Sequence, residues 1–162
     1  MLVLSNASIS GPLPSWLRKM AIIPHIDLSY NNLSGSLMNL PFGRRALEVL
    51  DLSRNRLIGK IPKCVENLEQ LRALIFSTNA LSGDIPISIG GNSLLTWLHL
   101  NDNEFTGELP QALRNLHDLW ILDVRNNELS GKIPEWIAEL TEFMVLRLHE
   151  NKFSGRVPPS LC

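Results

Sequence analysis

A glycine returns every 24 residues along the chain, at Gly11, Gly35, Gly59, Gly83, Gly107, Gly131 and Gly155. Four residues ahead of these stand Ala7, then Asn31, Asn55, Asn79, Asn103, Asn127 and Asn151. Two residues ahead comes an apolar side chain: Ile9, Leu33, Leu57, Leu81, Phe105, Leu129 and Phe153. An alternating apolar pair precedes each asparagine, as in Leu50 and Leu52, Leu74 and Phe76, Leu98 and Leu100, Leu122 and Val124, Leu146 and Leu148. Alternation with period two is the spacing of a half-buried strand. One such unit repeated at a fixed period of roughly 20–50 residues stacks on its neighbours and buries a continuous core between them. The register holds through seven copies, so the chain is a solenoid rather than a closed globule.

The unit matches L-x-x-L-x-L-x-x-N-x-L, the leucine-rich repeat. The expected fold is an α/β solenoid of about seven rungs, at residues 1–23, 24–46, 47–70, 71–94, 95–118, 119–142 and 143–162. Its concave side should be a parallel sheet with one short strand per rung, and its convex side mostly loop and short 3-10 helix. Solenoids close with polar caps; neither end shows one, so 1–162 reads as a single uncapped array, either an internal piece of a longer one or the product of a truncated gene. After each glycine the orderly rungs carry an apolar-proline pair (Ile61-Pro62, Ile85-Pro86, Leu109-Pro110, Ile133-Pro134) and then apolar residues three apart, such as Val65, Leu68 and Leu71. Proline suits the start of a turn or short helix and ends the strand before it. Rung four has Gly90-Gly91-Asn92 at this point, so its convex side is expected to be loop. Rung two has Pro41 and Arg44 in apolar slots, so Leu40 and Phe42 are expected to fill the interior there.

Lys plus Arg number 15 against 16 Asp plus Glu. That balance argues against nucleic acid or an anionic membrane as the main partner. No apolar run approaches the roughly 18 residues of a membrane span, and MLVLSN opens as a repeat strand, not as a signal peptide. Cys64 and Cys162 lie four rungs apart. At about 4.8 Å per rung that is roughly 20 Å, beyond the ~7 Å a disulfide bridges. No intramolecular disulfide is expected.

The strings LSGSL, LIGKIP, LSGDIP, FTGELP, LSGKIP and FSGRVP resemble the plant extracellular subclass of leucine-rich repeats, over essentially the whole chain. In that subclass the GxIP step forms a second short strand beside the concave sheet. IPKCVENLEQL, GPLPSWL, IPEWIAELTEFMVLRL and RVPPSLC are most similar to defence-related receptor-like proteins of the xylanase-elicitor-receptor kind, or to receptor kinase ectodomains. The resemblance implies the extracellular side of the plasma membrane and a co-receptor kinase among the partners.

Outward strand positions form three columns on the concave sheet. The first runs Met1, His25, Val49, Ala73, Trp97, Ile121, Val145; the second Val3, Asp27, Asp51, Ile75, His99, Asp123, Arg147; the third Ser5, Ser29, Ser53, Ser77, Asn101, Arg125, His149. Ser77, His99 and Asp123 fall on successive rungs, as nucleophile, base and orienting acid would. Yet no nucleophile elbow or oxyanion donor accompanies them. Ser and Asp are the ordinary filling of L-D-L-S strands, and the chain reads as no enzyme, with no cofactor. His99, Asp123 and His149 have ligand chemistry, but on a broad open sheet they face water, and no metal site is assigned. Asn6-Ala7-Ser8 and Asn32-Leu33-Ser34 are sequons, which makes Asn6 and Asn32 glycosylation candidates. Trp16 and Trp136 share a column of the return segment and are expected to fill the core at a rung edge.

From rung five the outward columns change character, to Trp97, His99, Asn101, Asp123, Arg125, Arg147 and His149, with Trp120 at the strand edge. Trp and Arg are enriched at binding hot spots. The leading functional expectation is a recognition module of a plant cell-surface receptor in defence or development signalling. It would bind a peptide, glycan or protein through these residues. The alternatives are a secreted inhibitor of the polygalacturonase-inhibitor type, with the same repeats, and a scaffold stretch whose ligand site lies on other rungs.

Overall fold

The computed structural model describes residues 1–19, 22–37 and 46–161. Pro41, Arg44, Leu40, Phe42 and Cys162, on which the expectations for rung two and for a disulfide rest, lie outside the described residues.

The strands in chain order are β1 (Leu2–Val3), β2 (Ser10–Pro12), β3 (His25–Asp27), β4 (Asn32–Ser36), β5 (Val49–Asp51), β6 (Arg56–Gly59), β7 (Ala73–Ile75), β8 (Ala80–Asp84), β9 (Trp97–His99), β10 (Glu104–Thr106), β11 (Ile121–Asp123) and β12 (Val145–Arg147). They form two parallel sheets. One, with seven strands, runs β1-β3-β5-β7-β9-β11-β12; the other, with five, runs β2-β4-β6-β8-β10. Every register step in the first sheet between β3 and β12 is 24 residues, so Leu50, Leu74, Leu98, Leu122 and Leu146 stand one behind another. The second sheet is the second short strand that the resemblance implied, but it forms on the residues up to and around each glycine, such as Arg56–Gly59 and Glu104–Thr106, and the Ile-Pro and Leu-Pro pairs of the GxIP step lie outside it.

Apolar residues three apart explain the convex side. Lys63–Asn67, Gln111–Asn115 and Glu135–Glu139 are 3-10 helices, each entered from a proline in extended conformation. A 3-10 helix has three residues per turn and eclipses i with i+3. Val65, Leu68 and Leu71 therefore project to one side, and all three are fully buried. Their amides close successive three-residue steps, Val65 N to Pro62 O at 3.1 Å, Leu68 N to Val65 O at 3.1 Å and Leu71 N to Leu68 O at 2.9 Å. Among the described residues the helices are all of this short type.

Rung four departs from expectation. Ile87–Gly91 is a 3-10 helix like its neighbours, not a loop. Gly90 is what lets it sit there: a Cβ on Gly90 would come within 2.3 Å of the Ala112 carbonyl oxygen of the next rung. The glycine tightens contact between rungs where it was expected to loosen the turn.

The asparagine column staples each rung to the one before. Asn103 Oδ1 accepts the Leu81 amide at 3.0 Å, and its Nδ2 donates to the carbonyls of Phe76 at 3.0 Å and Leu100 at 3.1 Å. Asn55, Asn79, Asn127 and Asn151 repeat the pattern. Ala7 has no such side chain, but its amide is taken by Asn31 Oδ1 at 3.1 Å.

The residue before each asparagine is left-handed, with φ between 51° and 57° at Tyr30, Arg54, Thr78, Asp102, Asn126 and Glu150. This sharp step ends the concave strand and folds the third column inward. Ser29, Ser53 and Asn101 are only 5, 7 and 5% exposed, so these outward positions are buried rather than open to solvent. Ser29 N and Oγ both donate to Asp27 Oδ1, at 2.9 and 2.6 Å, and Ser53 N donates to Asp51 Oδ1 at 2.8 Å. Trp136 is buried as expected, but Trp16 is 37% exposed and fills no core.

Candidate functional site

Strands β9, β11 and β12 place the candidate residues side by side. Their register aligns Trp97 with Ile121 and Val145, and His99 with Asp123 and Arg147. The buried leucines between these positions hold the strands, and alternation turns the candidates to the concave face. Trp97 is 43% exposed, and Trp120, on the turn entering β11, 47%. His149 is exposed on rung seven, and Arg125 and Arg147 keep 34 and 44% of their side-chain surface.

Two candidates do not reach solvent. Asp123 is 1% exposed. Its Oδ2 accepts Arg147 Nη1 at 3.2 Å and lies 3.4 Å from Arg125 Nη1, while its Oδ1 accepts the Arg125 amide at 3.3 Å. Two guanidiniums share this one carboxylate, so the surface above it is positive. Asn101 is the other buried member and donates to Asp102 Oδ2 at 2.6 Å. Asn126 of the next rung donates to Asp102 Oδ1 at 2.9 Å. Burial pushes the Asp102 carboxyl up, but the bonds from Asn126 and Asn101, together with the charges of Arg125 and Arg54, outweigh it and hold the group below the usual carboxylate range.

His99 is half-buried between Ile75 and Asp123 in the second column. Burial lowers its pKa below the ordinary histidine value; Asp123 pulls it back up and Arg147 pushes it further down. Further along the face the pattern differs. Asp27 and Asp51 lie in register on rungs two and three, and burial raises the Asp51 carboxyl. The second column thus carries two carboxylates in register on rungs two and three, and on rungs six and seven a carboxylate followed by a guanidinium.

In the series Ser77, His99 and Asp123, the Asp123 carboxylate is held by the two arginines. Among the described residues no group of His, Cys, Asp and Glu is arranged to hold a metal ion. Cys64 is a free, half-buried thiol whose pKa burial raises. Asn6 and Asn32 are both exposed. No helix among the described residues is long and apolar enough to cross a membrane.

The candidates drawn from sequence omitted Met144. It is 76% exposed and stands one rung beyond Trp120, while Ile121 and Val145 are half-buried between them and Trp97. The signal was available, because Met144 occupies the Trp120 position of the next repeat, 24 residues on.

Short parallel strands, a second sheet, 3-10 turns and an asparagine ladder define a leucine-rich repeat solenoid. A family model for the Leucine Rich Repeat matches residues 46–68, 94–116 and 118–140. Among solved structures, the chain is similar to the ectodomain of the Arabidopsis thaliana plant membrane receptor kinase GASSHO1/SCHENGEN3, in complex with CASPARIAN STRIP INTEGRITY FACTOR 2. That match has 38% identity and a TM-score of 0.90, covering 95% of this chain and 18% of that one. The Arabidopsis receptor kinase HAESA, in complex with the peptide hormone IDA and the co-receptor SERK1, matches at 34% identity and TM-score 0.90, over 95% of this chain and 26% of that one. A Pollen Receptor Kinase 3 matches at 31% identity and TM-score 0.84, over 96% of this chain and 74% of that one. No curated protein matches the sequence significantly. The chain spans about a fifth to a quarter of the length of the receptor kinase ectodomains GASSHO1/SCHENGEN3 and HAESA. It belongs to the leucine-rich repeat family, in the form found in plant receptor ectodomains.

Proposed function

We propose that this chain is a ligand-recognition module on the extracellular side of a plant cell-surface receptor, acting in defence or development signalling and not as an enzyme. Residues 1–162 form one array in this reading, and Trp97, His99, Trp120, Arg125, Arg147 and His149 contact a peptide or protein ligand, with a co-receptor kinase as a further partner. Asn101 and Asp123 hold that surface in shape from beneath it, and Asn6 and Asn32 accept N-glycans. The observation that carries the reading is the pair of exposed indoles beside two arginines that share a single buried carboxylate. Folding of a rung requires none of these side chains at outward positions, and together they suit a ligand that is partly apolar and partly acidic. The kinship with HAESA, solved in complex with a peptide hormone and a co-receptor, supports it. The test is a screen of the chain against a synthetic library of secreted plant peptides. A binder should lose at least tenfold in affinity with Trp97→Ala plus Arg147→Ala, and nothing with convex-side Lys63→Ala plus Glu66→Ala. Equal effects of the two pairs, or no binder at all, would overturn the proposal.

A further inference from the structure

The left-handed column at the turn after the concave strands begins Asn6, Tyr30, Arg54, at 24-residue steps on rungs one, two and three. All three have φ of 53°. Each donates the same backbone bond to the next rung: Asn6 N to Ser29 O at 3.0 Å, Tyr30 N to Ser53 O at 3.0 Å and Arg54 N to Ser77 O at 2.9 Å. The three residues therefore follow one another along the turn rim at one rung, about 5 Å, per step. Tyr30 is 55% exposed, and the Arg54 guanidinium lies over its ring, with Cζ 4.7 Å from the centroid. That contact is a cation–π stack, and it spans one rung. Asn6 stands at the same step on the other side of Tyr30. It opens the sequon Asn6-Ala7-Ser8, whose three residues are all exposed.

The turn itself gives no reason for an aromatic at this place. The column continues with Arg54, Thr78, Asp102, Asn126 and Glu150, so the step folds without one. Left-handed backbone is uncommon for a bulky residue, and such an outlier points to a role outside folding. Arg54 fixes the plane of the ring and covers one face. The other face is turned along the column, toward Asn6.

Resting on the reading above that Asn6 accepts an N-glycan, we infer that Tyr30 is a stacking platform for its first sugar, a β-linked N-acetylglucosamine. Attachment forms a bond from Asn6 Nδ2 to the anomeric carbon. The bond from that carbon to the diphosphate of a lipid-linked oligosaccharide breaks, and an amide proton is released. In the β-linked sugar the hydrogens on C1, C3 and C5 are axial and share one face. That face is apolar and weakly positive, which matches the electron-rich face of a phenol ring. One rung of separation, about 5 Å, is a distance at which flat rings stack. The sugar, Tyr30 and Arg54 then form three layers on rungs one, two and three. Asn32, by contrast, opens β4 on the same rung as Tyr30 and does not lie along the column. The stack roots the glycan on the turn rim of the early rungs, roughly 20 Å along the array from Trp97, and leaves the late-rung surface open.

The test uses the full chain secreted from eukaryotic cells that make only high-mannose glycans, trimmed enzymatically to one N-acetylglucosamine on each occupied asparagine. Removing the Asn6 sugar with Asn6→Gln should lower Tm by about 2 °C. The same removal should change nothing in a Tyr30→Asn background, whose side chain suits the left-handed turn. Tyr30→Phe should keep the full difference, because stacking needs the ring and not the hydroxyl. In NMR spectra, the C1, C3 and C5 protons of the Asn6 sugar should lie upfield in the native protein and return to ordinary positions with Tyr30→Asn. A Tm difference and proton shifts that ignore Tyr30→Asn overturn the inference and leave Asn6 as an acceptor. A Tyr30 effect that is abolished by Asn32→Gln instead of Asn6→Gln also overturns it and assigns the ring to the other acceptor. If Asn6 is unoccupied in the secreted protein, both the inference and the acceptor reading fall. The ligand-recognition reading rests on the peptide screen and stands or falls separately.

Discussion

Asn101 is more deeply buried than Asn103, two residues further on, yet Asn103 makes the bonds that hold the array together. Asn101 is 5% exposed and donates its side-chain amide to neighbouring Asp102, a carboxylate that Asn126 also serves. Asn103 is half-buried, accepts the Leu81 amide and donates to three backbone carbonyls, of Phe76, Leu100 and Asn101. Truncating Asn103 leaves several backbone groups on two rungs unpaired, and each such buried group costs about 1–3 kcal/mol. Asn103→Ala should therefore lose about 1–3 kcal/mol more than Asn101→Ala in urea unfolding. Equal losses would mean that burial, rather than the number of bonds broken, governs this column.

Asn92→Leu should stabilise the protein. Asn92 is fully buried, and its Oδ1, like Ser88 Oγ, has no hydrogen-bonding partner in the protein. Rungs three, five and six place Leu68, Leu116 and Leu140 at this position, all buried. The backbone already fits: Asn92 has φ −91° and ψ 70°, against −87° and 69° at Leu116. Leucine forfeits the one bond from Nδ2 to Ile89 O, but removes an unmatched acceptor worth about 1–3 kcal/mol. A gain of about 1 kcal/mol, seen as a higher Tm, is expected. A lower Tm would show that the amide is satisfied by solvent inside the rung.

Much of this architecture was legible because a solenoid repeats its physics. The leucines of the first sheet, the asparagine ladder, the glycine steps and the proline-started turns all recur at one spacing, so each copy corroborates the others. What escaped the sequence was local. The left-handed column reads Tyr30, Arg54, Thr78, Asp102, Asn126 and Glu150, with no glycine to advertise it, and its turn buries Ser29, Ser53 and Asn101. Gly90 looked like a loop residue, but its role is close approach to Ala112. Asp123 looked like an outward acid, because nothing in the pattern tells that Arg147 of the next rung will fold back over it.

Thr78 is the weakest fit in the left-handed column. It has φ of 56° and is exposed. Left-handed backbone costs an L residue about 1–2 kcal/mol, and a β-branched side chain is worst placed to bear it. Asparagine tolerates this conformation through its short polar side chain and already stands at Asn126 in the same column. Thr78→Asn should raise stability by about 0.5–1 kcal/mol, while Thr78→Val should lower it. If both substitutions prove neutral in thermal unfolding, the turn relaxes more readily than the column geometry implies.

His99 should make the stability of the array fall as the solution becomes acidic. Burial lowers its folded-state pKa below the ordinary value of 6.5; the Asp123 charge opposes this, and Arg147 and Arg125 reinforce it. A histidine with a depressed pKa binds fewer protons folded than unfolded, so the unfolded chain gains as pH drops. The stability that neutral His99 contributes is complete above the unfolded value of about 6.5. It declines as pH falls below that value and levels off once the folded pKa has been passed. His99→Gln cannot titrate and removes this contribution at every pH. The difference in Tm between the native protein and His99→Gln should accordingly shrink as pH falls from 7 through 6, with other groups cancelling in the comparison. A difference that stays constant would show His99 to be too well solvated to matter. A difference that grows toward acid would show that attraction to Asp123 outweighs burial, and that the imidazole is cationic on the concave surface.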